Sequence, residues 1–177
     1  MNVRRLSHGP VRALAVFLAI VGLAACAGNA EVQSQPSFYR SLAEGGELDA
    51  TAASYMISGF RKNNGLGPVT VDPGLTTLAE AQARAMASRD KLDHGVAGEF
   101  SERMRRGGFA RGAAAENVSA GYHTLAEAFS GWRDSPSHRA NMLLRGATRM
   151  GIAAVRAPNS KYKVFWALIL AGPEGRG

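Results

Sequence analysis

The sequence predicts an α+β domain, and three features carry that prediction. From residue 50 onward most of the chain places apolar residues at offsets of three and four, the spacing of one buried helix face. Asp72-Pro73 and Ser135-Pro136 are paired cap and first-turn signals that start helices. After Leu144 the pattern changes to two short β-rich runs, Met150–Val155 and Tyr162–Leu170, separated by the turn residues Pro158-Asn159-Ser160.

Residues 1–25 are expected to be a targeting segment rather than part of the fold. Arg4, Arg5 and Arg12 form a positive start, and Ala13–Ala25 is an uninterrupted apolar or small-residue run. That run is shorter than the roughly 20 apolar residues a spanning helix needs. It ends in Leu23-Ala24-Ala25-Cys26, and Cys26 is the only cysteine among 177 residues. The ending resembles the bacterial lipoprotein box, which implies cleavage before Cys26 and acylation of its thiol. A lone cysteine in an exported chain calls for such an explanation, and one thiol leaves no disulfide within a chain to hold the fold.

Residues 26–48, rich in Ala, Ser, Gln and Gly, are expected to form the acylated cysteine and a flexible tether. The folded domain is expected over 49–172, with a disordered tail at 173–177. The formal charge of +7 includes the three signal arginines; 21 basic residues less those three leaves 18 against 14 acidic ones, a net +4. That mild balance suits a soluble body near an anionic surface. No basic stripe interleaved with aromatics supports nucleic-acid binding.

The elements follow in order. Thr51–Lys62 places Met56, Ile57 and Phe60 on one helix face and stops at Asn63-Asn64-Gly65. Val69-Thr70-Val71 is a short extended piece. Asp72 caps an alanine-rich helix to about Asp90, with Leu75, Leu78, Ala79 and Met86 as its stripe and Gln82 as a polar interruption. Lys91–Gly95 is a loop, followed by a short helix near Glu99–Arg106 and a break at Gly107-Gly108. Thr124 with Glu127 forms a capping box for a helix bearing Leu125, Ala128, Phe129 and Trp132. Pro136 ends that helix and opens the next, with Ser135 as N-cap and His138 in the first turn, where the helix dipole favours a neutral imidazole. A neutral imidazole suits a ligand role, although on spacing alone His138 is more often a local packing or capping residue. The apolar run Tyr162–Leu170 implies a central strand covered on both faces, paired with Met150–Val155 in an antiparallel hairpin.

Taken together, Arg61-Lys62-Asn63-Asn64-Gly65-Leu66, Asp93-His94-Gly95, Glu116-Asn117-Val118, Trp132-x-x-Ser135-Pro136-Ser137-His138-Arg139-x-Asn141-Met142-Leu143 and Met150-Gly151-Ile152-Ala153 resemble the CAP superfamily. That superfamily comprises cysteine-rich secretory proteins, antigen 5 and pathogenesis-related proteins, and the likeness is to its compact bacterial form. The match covers about Thr51–Ala171. It implies a three-layer α-β-α sandwich with a small antiparallel sheet between helices.

The resemblance also implies a cleft. In eukaryotic members two His and two Glu line it, and some bind a divalent metal through the His pair. His94 matches the first His and Glu116 the Glu of the Glu-Asn pair. The second Glu is replaced by Ser135, beside Asp134, and the second His segment is absent, with Arg149-Met150-Gly151 in that region; His138 is the bacterial substitute. The candidate catalytic or cleft residues are therefore His94, Glu116 and His138, with His94 and His138 as candidate ligands to zinc. Asn117, Asp134, Ser135, Arg139 and Asn141 are candidate supports. Each also has a plain structural role open to it: Asp93 or His94 in fixing the loop, Glu116-Asn117 in a turn, Trp132 in the core.

No His-Glu-x-x-His, Gly-x-Ser-x-Gly or phosphate loop is present. Asp134, Ser135 and His138 are too crowded on one helix junction to be assumed a hydrolase triad. The expected function is a lipid-anchored envelope module, monomeric, that binds a lipid, glycan, peptide or metal. The alternatives are a metal- or His/Glu-assisted hydrolase of peptide or envelope polymer, and an interaction module with no small ligand. Because Ala27 rather than Asp follows Cys26, the expected address is the periplasmic face of the outer membrane where the host has two membranes.

Overall fold

The computed structural model describes residues 35–109 and 111–173. The signal segment, Cys26 and the last four residues of the expected tail lie outside the described residues. Among the described residues a short 3-10 turn (Ser37–Tyr39) precedes five α-helices and four strands, in the order α1 (Ala50–Asn63), β1 (Thr70–Val71), α2 (Pro73–Arg89), α3 (Phe100–Arg106), β2 (Ala114–Ala120), α4 (Leu125–Asp134), α5 (Pro136–Met142), β3 (Arg149–Ala157) and β4 (Lys163–Ala171).

The helices start where their caps dictate. The Asp49 carboxylate accepts from the Ala52 amide at 2.8 Å, and the Asp72 carboxylate accepts from the Leu75 amide at 3.0 Å, with Pro73 in the first turn of α2. At α4 the capping box is complete: the Glu127 amide donates to Thr124 Oγ1 and Glu127 accepts from the Thr124 amide. Ser135 occupies the N-cap position of α5, but its hydroxyl makes no capping bond and lies 3.4 Å from Ser137 Oγ. α2 ends on Asp90 in the left-handed region, φ 47°, a conformation that short polar side chains tolerate.

The sheet has the order β1-β3-β4-β2. β4 pairs antiparallel with both β3 and β2, while the two-residue β1 runs parallel to β3. The expected hairpin is therefore the centre of a larger, mixed sheet. Every residue of β4 after Lys163 is buried, and its side chains serve two cores in alternation. Val164, Trp166, Leu168 and Leu170 pack with Ile57 of α1, Leu125, Ala128 and Trp132 of α4, and Met142 of α5. Phe165, Ala167, Ile169 and Ala171 pack with Leu75, Ala79, Ala83 and Met86 of α2 and Met104 of α3. This is the three-layer arrangement: α1, α4 and α5 on one face, α2 and α3 on the other. α2 lies so close to β3 that a Cβ on Gly151 would sit 2.1 Å from the Leu75 carbonyl carbon, so only glycine fits.

One part of the chain departs from expectation. Residues 35–48, assigned to the tether, instead fold onto the domain. Leu42 is buried, Phe38, Ala43 and Leu48 pack on the first core, and the Leu42 amide donates to the His123 carbonyl at 2.8 Å. The composition of this segment hides its few apolar anchors. Arg61, at the end of α1, is 1 % exposed. Its guanidinium donates to the carbonyls of Gly67, Met142, Leu144 and Ala147, joining α1 to the end of α5 and the approach to β3. Four carbonyl acceptors stand in for the missing counter-ion.

Candidate functional site

The site is assembled on β2, one of the two edge strands of the sheet. Alternation along it sends Glu116 and Val118 toward the α2 and α3 layer, and Asn117 toward the α5 layer. Asn141 of α5 donates its amide to the Glu116 carbonyl at 3.0 Å and to Asn117 Oδ1 at 2.9 Å. Asn117 in turn donates to the His138 carbonyl at 3.0 Å. The two asparagines thus occupy polar groups that an edge strand would otherwise present to solvent, and they fix the backbone of His138 against the strand.

Glu116 is 5 % exposed and held from two directions. Arg103 Nη2 donates to Oε1 at 2.9 Å and to Oε2 at 2.8 Å. His94 Nδ1 stands 2.9 Å from Oε1. A neutral His94 that donates from Nδ1 leaves Nε2 as its acceptor, on a side chain 56 % exposed. The loop carrying His94 is set by Asp93, whose carboxylate accepts from the Gly95 amide at 2.8 Å and whose carbonyl accepts from buried Gln82 at 2.7 Å. Lys91, then the Gly95 amide, hold the Asp93 carboxyl below the ordinary carboxylate range.

His138 is half-buried at the start of α5. Burial first, and the charge on His94 second, lower its pKa from 6.5, so its neutral form is favoured at neutral pH. The helix-dipole argument gave the same direction; desolvation is the larger cause here.

The remaining candidates are bonded elsewhere. Asp134 pairs with its neighbour Arg133 at 2.8 Å, and Arg139 lies over the Phe60 ring at 5.7 Å to its centroid. Ser135 faces Ser137. Asp134, Ser135 and Arg139 are thus surface and helix-junction groups, and the three residue types of a hydrolase triad do not assemble. Arg103 is the participant that sequence reasoning missed. It sits in the run Glu102-Arg103-Met104-Arg105-Arg106, where Arg105 and Arg106 are solvent-facing, and only its position beside buried Met104 marks it.

The residues do not fit a resident catalytic zinc. His94 and His138 supply two imidazoles, and Glu116 is committed to Arg103, whereas such ions usually take three protein ligands. Among the described residues no group of three or more His, Cys, Asp and Glu is arranged to hold a metal. The His94–Glu116 contact does resemble the carboxylate that orients a metal-bound or ligand-bound histidine from behind.

The model of the cysteine-rich secretory protein family matches residues 55–170. An uncharacterised Bacillus subtilis protein, YkwD, is 29 % identical over 99 residues, covering 55 % of this chain and 38 % of that protein. An extracellular protein containing an SCP domain from Bacillus anthracis is similar in structure, with TM-score 0.60 and 21 % identity, covering 70 % of this chain and 40 % of that one. An outer surface protein from Borrelia burgdorferi has TM-score 0.61 and 15 % identity, covering 71 % and 96 %. The chain thus spans about two-fifths of the two Bacillus proteins, and what it shares with the solved structures is the fold.

Proposed function

This chain belongs to the cysteine-rich secretory protein family, and from that premise we propose that it is a lipid-anchored cell-envelope module whose cleft binds a polar ligand without transforming it. The observation that carries the reading is the state of Glu116. A general base must reach the proton it removes, but both oxygens of this buried carboxylate accept from Arg103, and one also meets His94. It serves as a fixed anion that orients an exposed imidazole.

An oriented His94, with His138 held neutral on an anchored backbone, offers paired donors and acceptors at defined positions. Such groups read the hydroxyls and amides of a glycan or peptide better than they read an acyl chain. The extracellular and outer-surface relatives support an envelope address, and Cys26, outside the described residues, supports lipid attachment there. Ligand-identification mass spectrometry on protein purified from its own host tests the reading. Wild type should carry a glycan or peptide that the His94→Ala, His138→Ala double variant lacks. Equal ligand content in the two proteins would remove the cleft from the account.

A further inference from the structure

On the reading that Cys26 carries lipid, we propose that the end of the domain bearing the β3–β4 turn docks on anionic phospholipid headgroups. Nine residue steps separate Cys26 from Gln35, the first described residue. At about 3.3–3.6 Å a step, even a fully extended chain of that length spans at most roughly 30 Å. Gln35 is thus kept close to the surface of the bilayer that holds the acyl group.

Contacts made just beyond Gln35 place this segment at one end of the sheet. The Leu42 amide donates to the His123 carbonyl, past the end of β2, at 2.8 Å. The Ala43 carbonyl accepts from Arg156 Nε, near the end of β3, at 2.8 Å. The Gly121 amide donates to the Val164 carbonyl, at the start of β4, at 3.0 Å. Residues 40–43, the end of β2 and the β3–β4 turn therefore share that end. The opposite end holds the last turn of α1, where Arg61 bonds the carbonyls that precede β3.

The end near the tether carries groups that a headgroup layer attracts. Arg40, Arg156, Lys161 and Lys163 are all exposed. Arg156 bonds the Ala43 carbonyl, Lys163 Nζ donates to the Pro158 carbonyl at 2.8 Å, and Lys161 lies over the Tyr162 ring at 4.8 Å. Those contacts leave the charges uncancelled, whereas Arg84, Lys91, Arg105 and Arg133 are each matched to an acid. Tyr39, 50 % exposed on the turn just before Arg40, adds a ring of the kind that settles at the membrane–water interface. Glu44 and Glu47 are exposed here too and offset part of the attraction. The face therefore orients a chain that is already anchored and does not hold an unanchored one. For a chain anchored in this way, the nearest dense array of anions is the headgroup layer itself.

Flotation and amine footprinting on one sample test the proposal. The acylated protein is placed in phosphatidylglycerol-rich vesicles or in pure phosphatidylcholine vesicles, floated, and treated with an acetylating succinimidyl ester. Lys62, exposed at the opposite end of the domain, is the internal reference. In the anionic vesicles Lys161 and Lys163 should react at least about fivefold more slowly, relative to Lys62, than in detergent solution. Pure phosphatidylcholine or high salt should abolish that protection. Arg40→Glu, at an exposed position, should restore most of the detergent rate. The proposal is overturned by floated protein whose Lys161 and Lys163 react at the detergent rate, by equal protection in both lipids, or by protection that Arg40→Glu leaves intact. Protein that does not float fails at the Cys26 anchor instead, and the proposal falls with it.

Discussion

Replacing Arg103 by Met tests the buried pair on which the site is built. The change keeps an unbranched side chain in place but leaves Glu116, 5 % exposed, with only the 2.9 Å contact from His94. Four donations from Arg103 disappear, two at 2.8–2.9 Å to the carboxylate, one at 3.0 Å to the Gly98 carbonyl and one at 3.4 Å to the His94 carbonyl. Removing one partner of a buried ion pair costs about 3–5 kcal/mol, because the other charge stays stranded. Against a typical stability of about 5–15 kcal/mol that is a large share, and in a domain of this size it lowers Tm by roughly 10–15 °C. Adding Glu116→Leu removes the stranded charge. Since apolar replacements of whole buried pairs are often close to neutral, the double variant should return to within about 2 kcal/mol of wild type. Urea denaturation followed by fluorescence of buried Trp132 and Trp166 measures all three proteins. A loss below about 1 kcal/mol for Arg103→Met, or a double variant worse than the single, would refute the reasoning.

Three further outcomes are expected. Trp132→Ala should cost about 3–5 kcal/mol by thermal denaturation, because the ring is 1 % exposed and packs edge-to-face on Trp166 at 6.3 Å. His138 has a folded pKa below its unfolded value, so the unfolded chain binds its proton first as pH falls; stability should therefore drop between pH 7.5 and 5, and His138→Gln should flatten that part of the profile. Cys26→Ser should release the protein from membranes on fractionation, and a variant that stays fully membrane-bound would remove the lipid anchor from the account.

Much of the fold was legible because local and global signals agree in this chain. Asp72-Pro73, the Thr124–Glu127 box and the doubly apolar Tyr162–Leu170 run each announce an element that the structure contains. β2 was not legible. Its sequence, AAENVSA, places Glu116, Asn117 and Ser119 on a buried strand, where polar side chains erase the alternation that marks β-structure. Glu116 and Asn117 are buried with partners far along the chain, Arg103 and His94 for the first and Asn141 and the His138 carbonyl for the second. The same reason hid Arg103 and Arg61, since a buried arginine is distinguished from a solvated one only by the acceptors that the fold delivers. His94, Glu116 and His138 could be named from motif order, but the occupation of Glu116 could not, and it changes what the site is able to do.

One titration tests most directly the claim that this site binds without turnover. Full-length protein with ¹⁵N-labelled histidine is mixed with soluble envelope glycan and peptide fragments, while imidazole resonances and fragment signals are recorded together by NMR. The account predicts that one fragment shifts both the His94 and the His138 imidazole signals, saturates, and stays chemically intact over the course of the experiment. Steady cleavage of that fragment, lost in the Glu116→Gln protein, would contradict it and make Glu116 the base that its bonds to Arg103 and His94 argue it is not.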